Sequence, residues 1–185
     1  SDPRAFAHRH PSVSSSTRCL TGSETTAAAL ARRLELQADL HEVRLDLVEE
    51  LDGDVFDLLR RHGPRIVATC RAAAEGGGFV GTETDRLEVL SRAARCGVAW
   101  LDLELFLFEQ GATSRLALGD LTNPPRLIAS LHDFEGGSGA TEALARRFDG
   151  CTADLAKLAV TVHGPEDLAR LRRLNLSCDL RVVVG

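Results

Sequence analysis

HEVRLDLV (41–48) is the stretch on which the fold turns. Side chains alternate along an extended strand, so Glu42, Arg44 and Asp46 point one way while Val43, Leu45 and Leu47 point the other. The pattern recurs. RIVATCR (65–71) sets Thr69 beside Arg71, and WLDLEL (100–105) sets Asp102 beside Glu104. RLIASLHD (126–133) pairs Ser130 with His132, and DLAKLAV (154–160) puts Lys157 on one face with Leu155 and Ala159. Five strands thus send charged or titratable groups to one side. In an open sheet covered by helices on both faces, that much buried charge would be very costly. In a closed barrel the same groups converge near the carboxyl ends of the strands and neutralise one another.

TRCLTG (17–22) and LRVVVG (180–185) complete a set of seven strands. Between them run TTAAALARRLELQA (25–38), VFDLLRRHG (55–63), ETDRLEVLSRAARCG (83–97), ATEALARRF (140–148) and PEDLARLRRLN (165–175), whose apolar residues recur at three and four, the helical spacing. Gly63 and Gly97 mark helix ends and Pro165 a helix start. The segment 106–125 is less regular. This β-then-α alternation predicts an α/β fold, a (β/α)8 TIM-type barrel that is incomplete at the C-terminus, with seven strands visible. LTGSET after the first strand lacks the GxGxxG turn that would favour a doubly wound open sheet. Residues 1–16 read as a disordered leader or linker and 17–185 as the barrel domain, a length suited to one core.

The net charge of −5 and the scatter of the arginines give no nucleic-acid footprint. No apolar run approaches the ~20 residues of a membrane span, and the amino-terminal stretch lacks the apolar core of a secretory signal. Cys19, Cys70, Cys96, Cys151 and Cys178 form no CxxC pair, and the histidines no HxxxH or HExxH. That argues against a zinc site or a disulfide framework and for a reducing, cytoplasmic setting.

Lys157 is the only lysine, against 21 arginines. The two cations differ where an amine must lose its proton, since lysine can become a neutral nucleophile and arginine cannot. Low dielectric and neighbouring cations are expected to lower its pKa, freeing the amine to attack a carbonyl. An iminium so formed acidifies the adjacent C–H. An imidazole can act as base and acid, so His132 can move that proton, Glu75 can orient the ring, and Arg71 and Arg44 can clamp an oxygen-rich anion. Blander readings stand beside each of these. Lys157 is then compositional drift, His132 a structural strand-end residue, and Glu42, Arg44 and Asp46 an internal ion-pair network. EGGG (75–78) is a flexible turn, lacking the GK[ST] of a phosphate cradle.

Taken together, these residues resemble the type I 3-dehydroquinate dehydratases of the shikimate pathway. EVRLD (42–46) is similar to the family's E-x-R-x-D strand and TCRAAAEGG (69–77) to its T-x-R-x-x-x-E-G-G turn. DLEL (102–105), SLHDF (130–134) and KLAV (157–160) follow in the family's order, so the resemblance covers residues 17–185. It implies a barrel that converts 3-dehydroquinate to 3-dehydroshikimate by eliminating water, with no metal or organic cofactor. Lys157 would be the Schiff-base lysine, His132 the general acid/base and Glu75 the acid beside it, with Glu42, Arg44 and Arg71 at substrate-binding positions.

The chain departs from the family in three places. Cys19 or Thr21 stands near the point where the first strand usually offers a serine. EGGSG (135–139) replaces a threonine-proline turn. The residues that would supply an arginine, a serine and a glutamine to the substrate carboxylate are absent after Gly185. The natural protein is therefore expected to continue past Gly185. Other readings stay open: a degenerate or truncated barrel module without turnover, or another class I Schiff-base enzyme of the aldolase type. The ordered motifs favour the dehydratase over the aldolase. The expected partner is the small-molecule substrate, with no nucleic acid or membrane; a homodimer and fusion to other shikimate-pathway domains are left open.

Overall fold

The computed structural model describes residues 17–134, 141–177 and 180–184. The expected leader and the EGGSG segment lie outside the described residues. Among the described residues seven strands run β1 (Cys19–Thr21), β2 (Leu40–Arg44), β3 (Ile66–Thr69), β4 (Trp100–Glu104), β5 (Arg126–Asp133), β6 (Leu155–Val160) and β7 (Leu180–Val184). All are parallel and ordered as in the chain. Helices α1 (Ala27–Leu34), α2 (Gly53–His62), α3 (Glu83–Arg95), α4 (Leu105–Glu109), α5 (Thr141–Arg146) and α6 (Pro165–Ser177) fill the crossovers.

The helix starts follow from local chemistry. Thr26 accepts the Ala29 N–H at the head of α1, and Asp52 accepts the Asp54 and Val55 N–H groups at the head of α2. Thr82 and Asp85 close a reciprocal capping box on α3.

The sheet is rolled. Neighbouring strands lie about 4.8 Å apart, so β2 and β6, four steps apart, would be separated by about 19 Å in a flat sheet. Yet Glu42 Oε1 on β2 lies 3.5 Å from Lys157 Nζ on β6. Among the described residues, β1 pairs only with β2 and β7 only with β6, so the sheet forms an open, curled arc of a barrel. Outward-facing Val43, Ala68, Leu101 and Leu103 pack under the helices with Leu30, Leu59 and Leu90. Inward-facing Leu40, Val67, Trp100 and Ile128 build an apolar floor at the amino ends of the strands.

The expected strand 41–48 ends early. β2 stops at Arg44, and Leu45–Leu47 form a single 3₁₀ turn. Asp46 therefore leaves the alternation and is buried at the rim, where its carboxylate receives two guanidinium hydrogen bonds from Arg44, at 2.9 and 2.7 Å. It also takes the N–H groups of Arg71 and Gly78, each at 3.0 Å. A second buried acid, Glu104, accepts the Ala72 N–H at 2.7 Å and the Arg86 guanidinium at 2.8 Å. These two carboxylates fasten both ends of the loop after β3.

Asp46→Ala should lower stability by about 3–5 kcal/mol, because it strands a guanidinium and two amides that share one buried acceptor. Urea unfolding of the variant against the parent at neutral pH measures this.

Candidate active site

The fastened loop sets the upper part of the site. Gly76 has φ +77°, a conformation suited to glycine, and a Cβ on Gly77 would lie 2.0 Å from the Arg71 carbonyl oxygen. EGGG is thus a tightly packed turn held by Asp46, and its glycines let the chain double back so that Arg71 and Glu75 both face inward. Glu75 Oε2 receives the His132 backbone N–H at 3.0 Å and lies 2.9 Å from His132 Nδ1. Arg71 Nη1 donates to Ser130 Oγ at 2.7 Å and also lies 3.0 Å from His132 Nδ1.

The imidazole nitrogen Nδ1 therefore faces an acceptor and a donor at once. With Nδ1 protonated, Glu75 accepts from it and Nε2 is left to take a proton. With Nδ1 bare, Arg71 donates to it and Nε2 carries the hydrogen. Nδ1 thus has a partner in either state without movement of the ring, which suits a group that must alternate between base and acid.

Below this level lies the amine. Ser130 is the register partner of Lys157, and His132 stands two residues further along β5. With a rise of about 3.3 Å per residue, His132 sits roughly 7 Å higher on the same inner face. Lys157 Nζ donates to Asp102 Oδ2 at 2.9 Å and lies 3.5 Å from Glu42 Oε1, which itself receives the Thr69 hydroxyl at 2.9 Å. Asp102 Oδ1 takes Ser130 Oγ at 2.6 Å and Arg71 Nη2 at 3.2 Å.

Burial by itself would lower the pKa of Lys157, but Asp102 and Glu42 outweigh it and hold the ammonium above its ordinary value. This corrects the expected lowering: the amine's nearest charges are carboxylates, and Arg71 opposes them only in part. For Asp102, burial works against ionisation, yet Lys157, Arg71 and the Ser130 hydroxyl keep its carboxyl far below the usual carboxylate range. A cavity of about 350 Å³ opens beneath Lys157, lined by Cys19, Thr21, Glu42, Trp100 and Asp102 among others.

The fold brings together Lys157, His132, Glu42 and Arg71, which the strand alternation set on one face, and adds Glu75 from the loop after β3. Arg44 stands at the rim, its guanidinium engaged by Asp46 and a quarter exposed. Two of the site's central residues, Asp102 and Ser130, were placed on the inner face by that alternation but given no role. Glu104, read as facing inward with Asp102, instead binds Arg86 and the loop backbone.

A model of the type I 3-dehydroquinase family matches residues 19–183. The 3-dehydroquinate dehydratase of Desulfotalea psychrophila is 35% identical over 158 residues, which are 81% of this chain and 66% of that protein. The corresponding protein of Methanothrix thermoacetophila is 34% identical over 154 residues, 83% of this chain and 65% of that one. The chain thus spans just under two thirds of the length of these relatives. The crystal structure of 3-dehydroquinate dehydratase from Geobacillus kaustophilus superposes with a TM-score of 0.73 at 24% identity, covering 90% of this chain and 71% of that one.

The charges of the site make stability depend on pH in a definite direction. Asp102, whose folded pKa is depressed, contributes stability above the ordinary aspartate value of about 4, and that contribution is lost as pH falls through the depressed value. Lys157, whose folded pKa is raised, contributes below the ordinary lysine value of about 10.4 and loses its contribution as pH climbs past the raised one. Asp102→Asn should be less stable than the parent at pH 7, and the gap should shrink as pH is taken below about 4. Denaturant midpoints across pH 3–7 follow it.

Proposed function

The chain belongs to the type I 3-dehydroquinase family, and from that premise we propose that it is a 3-dehydroquinate dehydratase working through a Schiff base on Lys157. The observation that carries the reading is the stacking of a sole lysine amine, flanked by Asp102 and Glu42, beneath an imidazole whose Nδ1 is held between Glu75 and Arg71. In this reading the Lys157 ammonium releases a proton, the neutral amine adds to the substrate ketone, and the proton is taken back as water leaves, giving an iminium. The iminium draws electrons from the neighbouring carbon, so His132 Nε2 can remove a proton there. The same imidazole, now carrying that proton, returns it to the departing hydroxyl, and a second water molecule leaves. Hydrolysis of the imine then frees product and lysine.

In this reading Glu42 and Arg71 bind substrate oxygens beside the amine, and Arg44 serves from the rim. Glu75 keeps the ring of His132 in position. Each step uses groups of the chain itself, and the reading assigns no metal or organic cofactor.

Sodium borohydride added with 3-dehydroquinate should fix one adduct, found by peptide mass mapping on the peptide that carries Lys157. Lys157→Arg should give none and no turnover. His132→Ala should slow turnover by ~10²–10⁴-fold while the borohydride adduct still forms. Label confined to the amino terminus, or turnover in His132→Ala equal to the parent at matched pH, would contradict the mechanism.

A further inference from the structure

We propose that Asp102 is the positioning residue of this site: it aims the Lys157 amine across the barrel and is the counter-ion facing that nitrogen both before substrate arrives and after the iminium forms. The inference rests on the Schiff-base reading for its second half only.

The geometry is specific. The Asp102 side chain is 1% exposed, and its two oxygens have divided tasks. Oδ1 is fixed by Ser130 on β5 and by Arg71 from the loop after β3, at 2.6 and 3.2 Å. Among the described residues, Oδ2 takes only Lys157 Nζ, at 2.9 Å. Lys157 reaches it from β6 by passing over its own register partner, Ser130, so the amine is drawn inward. Glu42, the other acid facing the amine, is 3.5 Å away and already accepts from Thr69. Among the described side chains, the remaining charged or titratable neighbours are Arg71 above and Cys19 from β1. Without Asp102, burial and the Arg71 charge would act on Lys157 with only Glu42 to oppose them.

The chemistry explains why one carboxylate can serve both stages. Conversion of R–NH₃⁺ and a ketone to the protonated imine releases one water and leaves one positive charge on the same nitrogen. Asp102 therefore faces a cation before and after the step. It disfavours only the neutral forms between them, the free amine and the later enamine. Its removal should act on the two readouts in opposite directions: the free amine becomes easier to reach, and the iminium becomes less stable.

The single lysine allows a direct test. In protein labelled with ¹³Cε-lysine, one resonance reports Lys157, and it should titrate above the ordinary lysine value of about 10.4 in the unaltered chain. A midpoint at or below that value overturns the proposal with no variant needed. Acetylation of Lys157 by acetic anhydride, followed against pH by mass mapping, should move at least one pH unit toward acid in Asp102→Asn. That is tenfold or more extra labelling at pH 8. Asp102→Glu should restore the parent's profile. A folded Asp102→Asn chain with the parent's profile, or one moved toward alkali, refutes it. Neither measurement needs substrate, so they stand or fall apart from the dehydratase reading. With 3-dehydroquinate present, Asp102→Asn should also yield less borohydride-trapped adduct at saturating substrate; an undiminished yield removes the iminium half of the proposal and leaves the amine half standing.

Discussion

Rolling a parallel sheet until side chains of its second and sixth strands meet forces charge into a largely buried space. Lys157, Arg71, Asp102 and Glu42 all lie within it, and none could be ionised there alone without a severe desolvation cost. The structure meets this constraint by making the carboxylate of Asp102 common to both cations, with Ser130 occupying the remaining direction. The polar interior is then a neutralised cluster, closed below by the floor of Leu40, Val67, Trp100 and Ile128. The same cluster fixes the orientation of every group that can meet a ligand. The electrostatics that make the interior tolerable also make it a site.

A second tier of carboxylates lies outside that cluster and controls the loop above it. Asp46 and Glu104 both accept backbone N–H groups from residues 71–78, and each is paired with an arginine from elsewhere in the fold. An acid that binds an amide holds the chain itself, whereas one that binds a side chain holds only a flexible tip. The loop after β3 is therefore as well defined as a secondary-structure element, and it needs to be. It carries Arg71 toward Asp102 and Glu75 toward His132, at contacts of about 3 Å.

Much of this was legible in the sequence because alternation has a period of two and leaves no ambiguity about facing. HEVRLDLV, RIVATCR and RLIASLHD each declare an inner, polar side, and the barrel follows from the cost of burying that side otherwise. Legibility failed where regularity ends. Arg44 closes β2, and the 3₁₀ turn after it takes Asp46 out of the pattern. LFLFE (105–109) straddles the end of WLDLEL and the start of the less regular segment 106–125, with too few residues to display a helical period, yet it forms α4. The pKa of Lys157 was misjudged for a different reason. Which charges lie nearest an amine depends on which strands meet across the barrel, and no local pattern contains that. Asp102 suffered the same fate: an aspartate in WLDLEL looks like any other inward polar residue until Lys157, Arg71 and Ser130 are found around it.

The relation between the two levels of the site follows from Arg71. Its guanidinium touches the lower cluster through Asp102 and the upper pair through His132, with Ser130 between them. It presents several N–H donors in one plane and stays charged, so it can serve three acceptors at once without itself titrating. A lysine at position 71 could balance Asp102, but as a point charge it could not also hold a fixed donor against Nδ1 of the imidazole. Arg71 thus ties the charge balance around the amine to the hydrogen-bond state of the histidine above it. An anionic ligand that draws Arg71 away would release Asp102 to Lys157 and Nδ1 to Glu75 in the same movement. The ring would then be left with Nε2 bare, the form able to take a proton, while the nitrogen below keeps its counter-ion. Binding and readiness for proton transfer would in that way be coupled through one side chain.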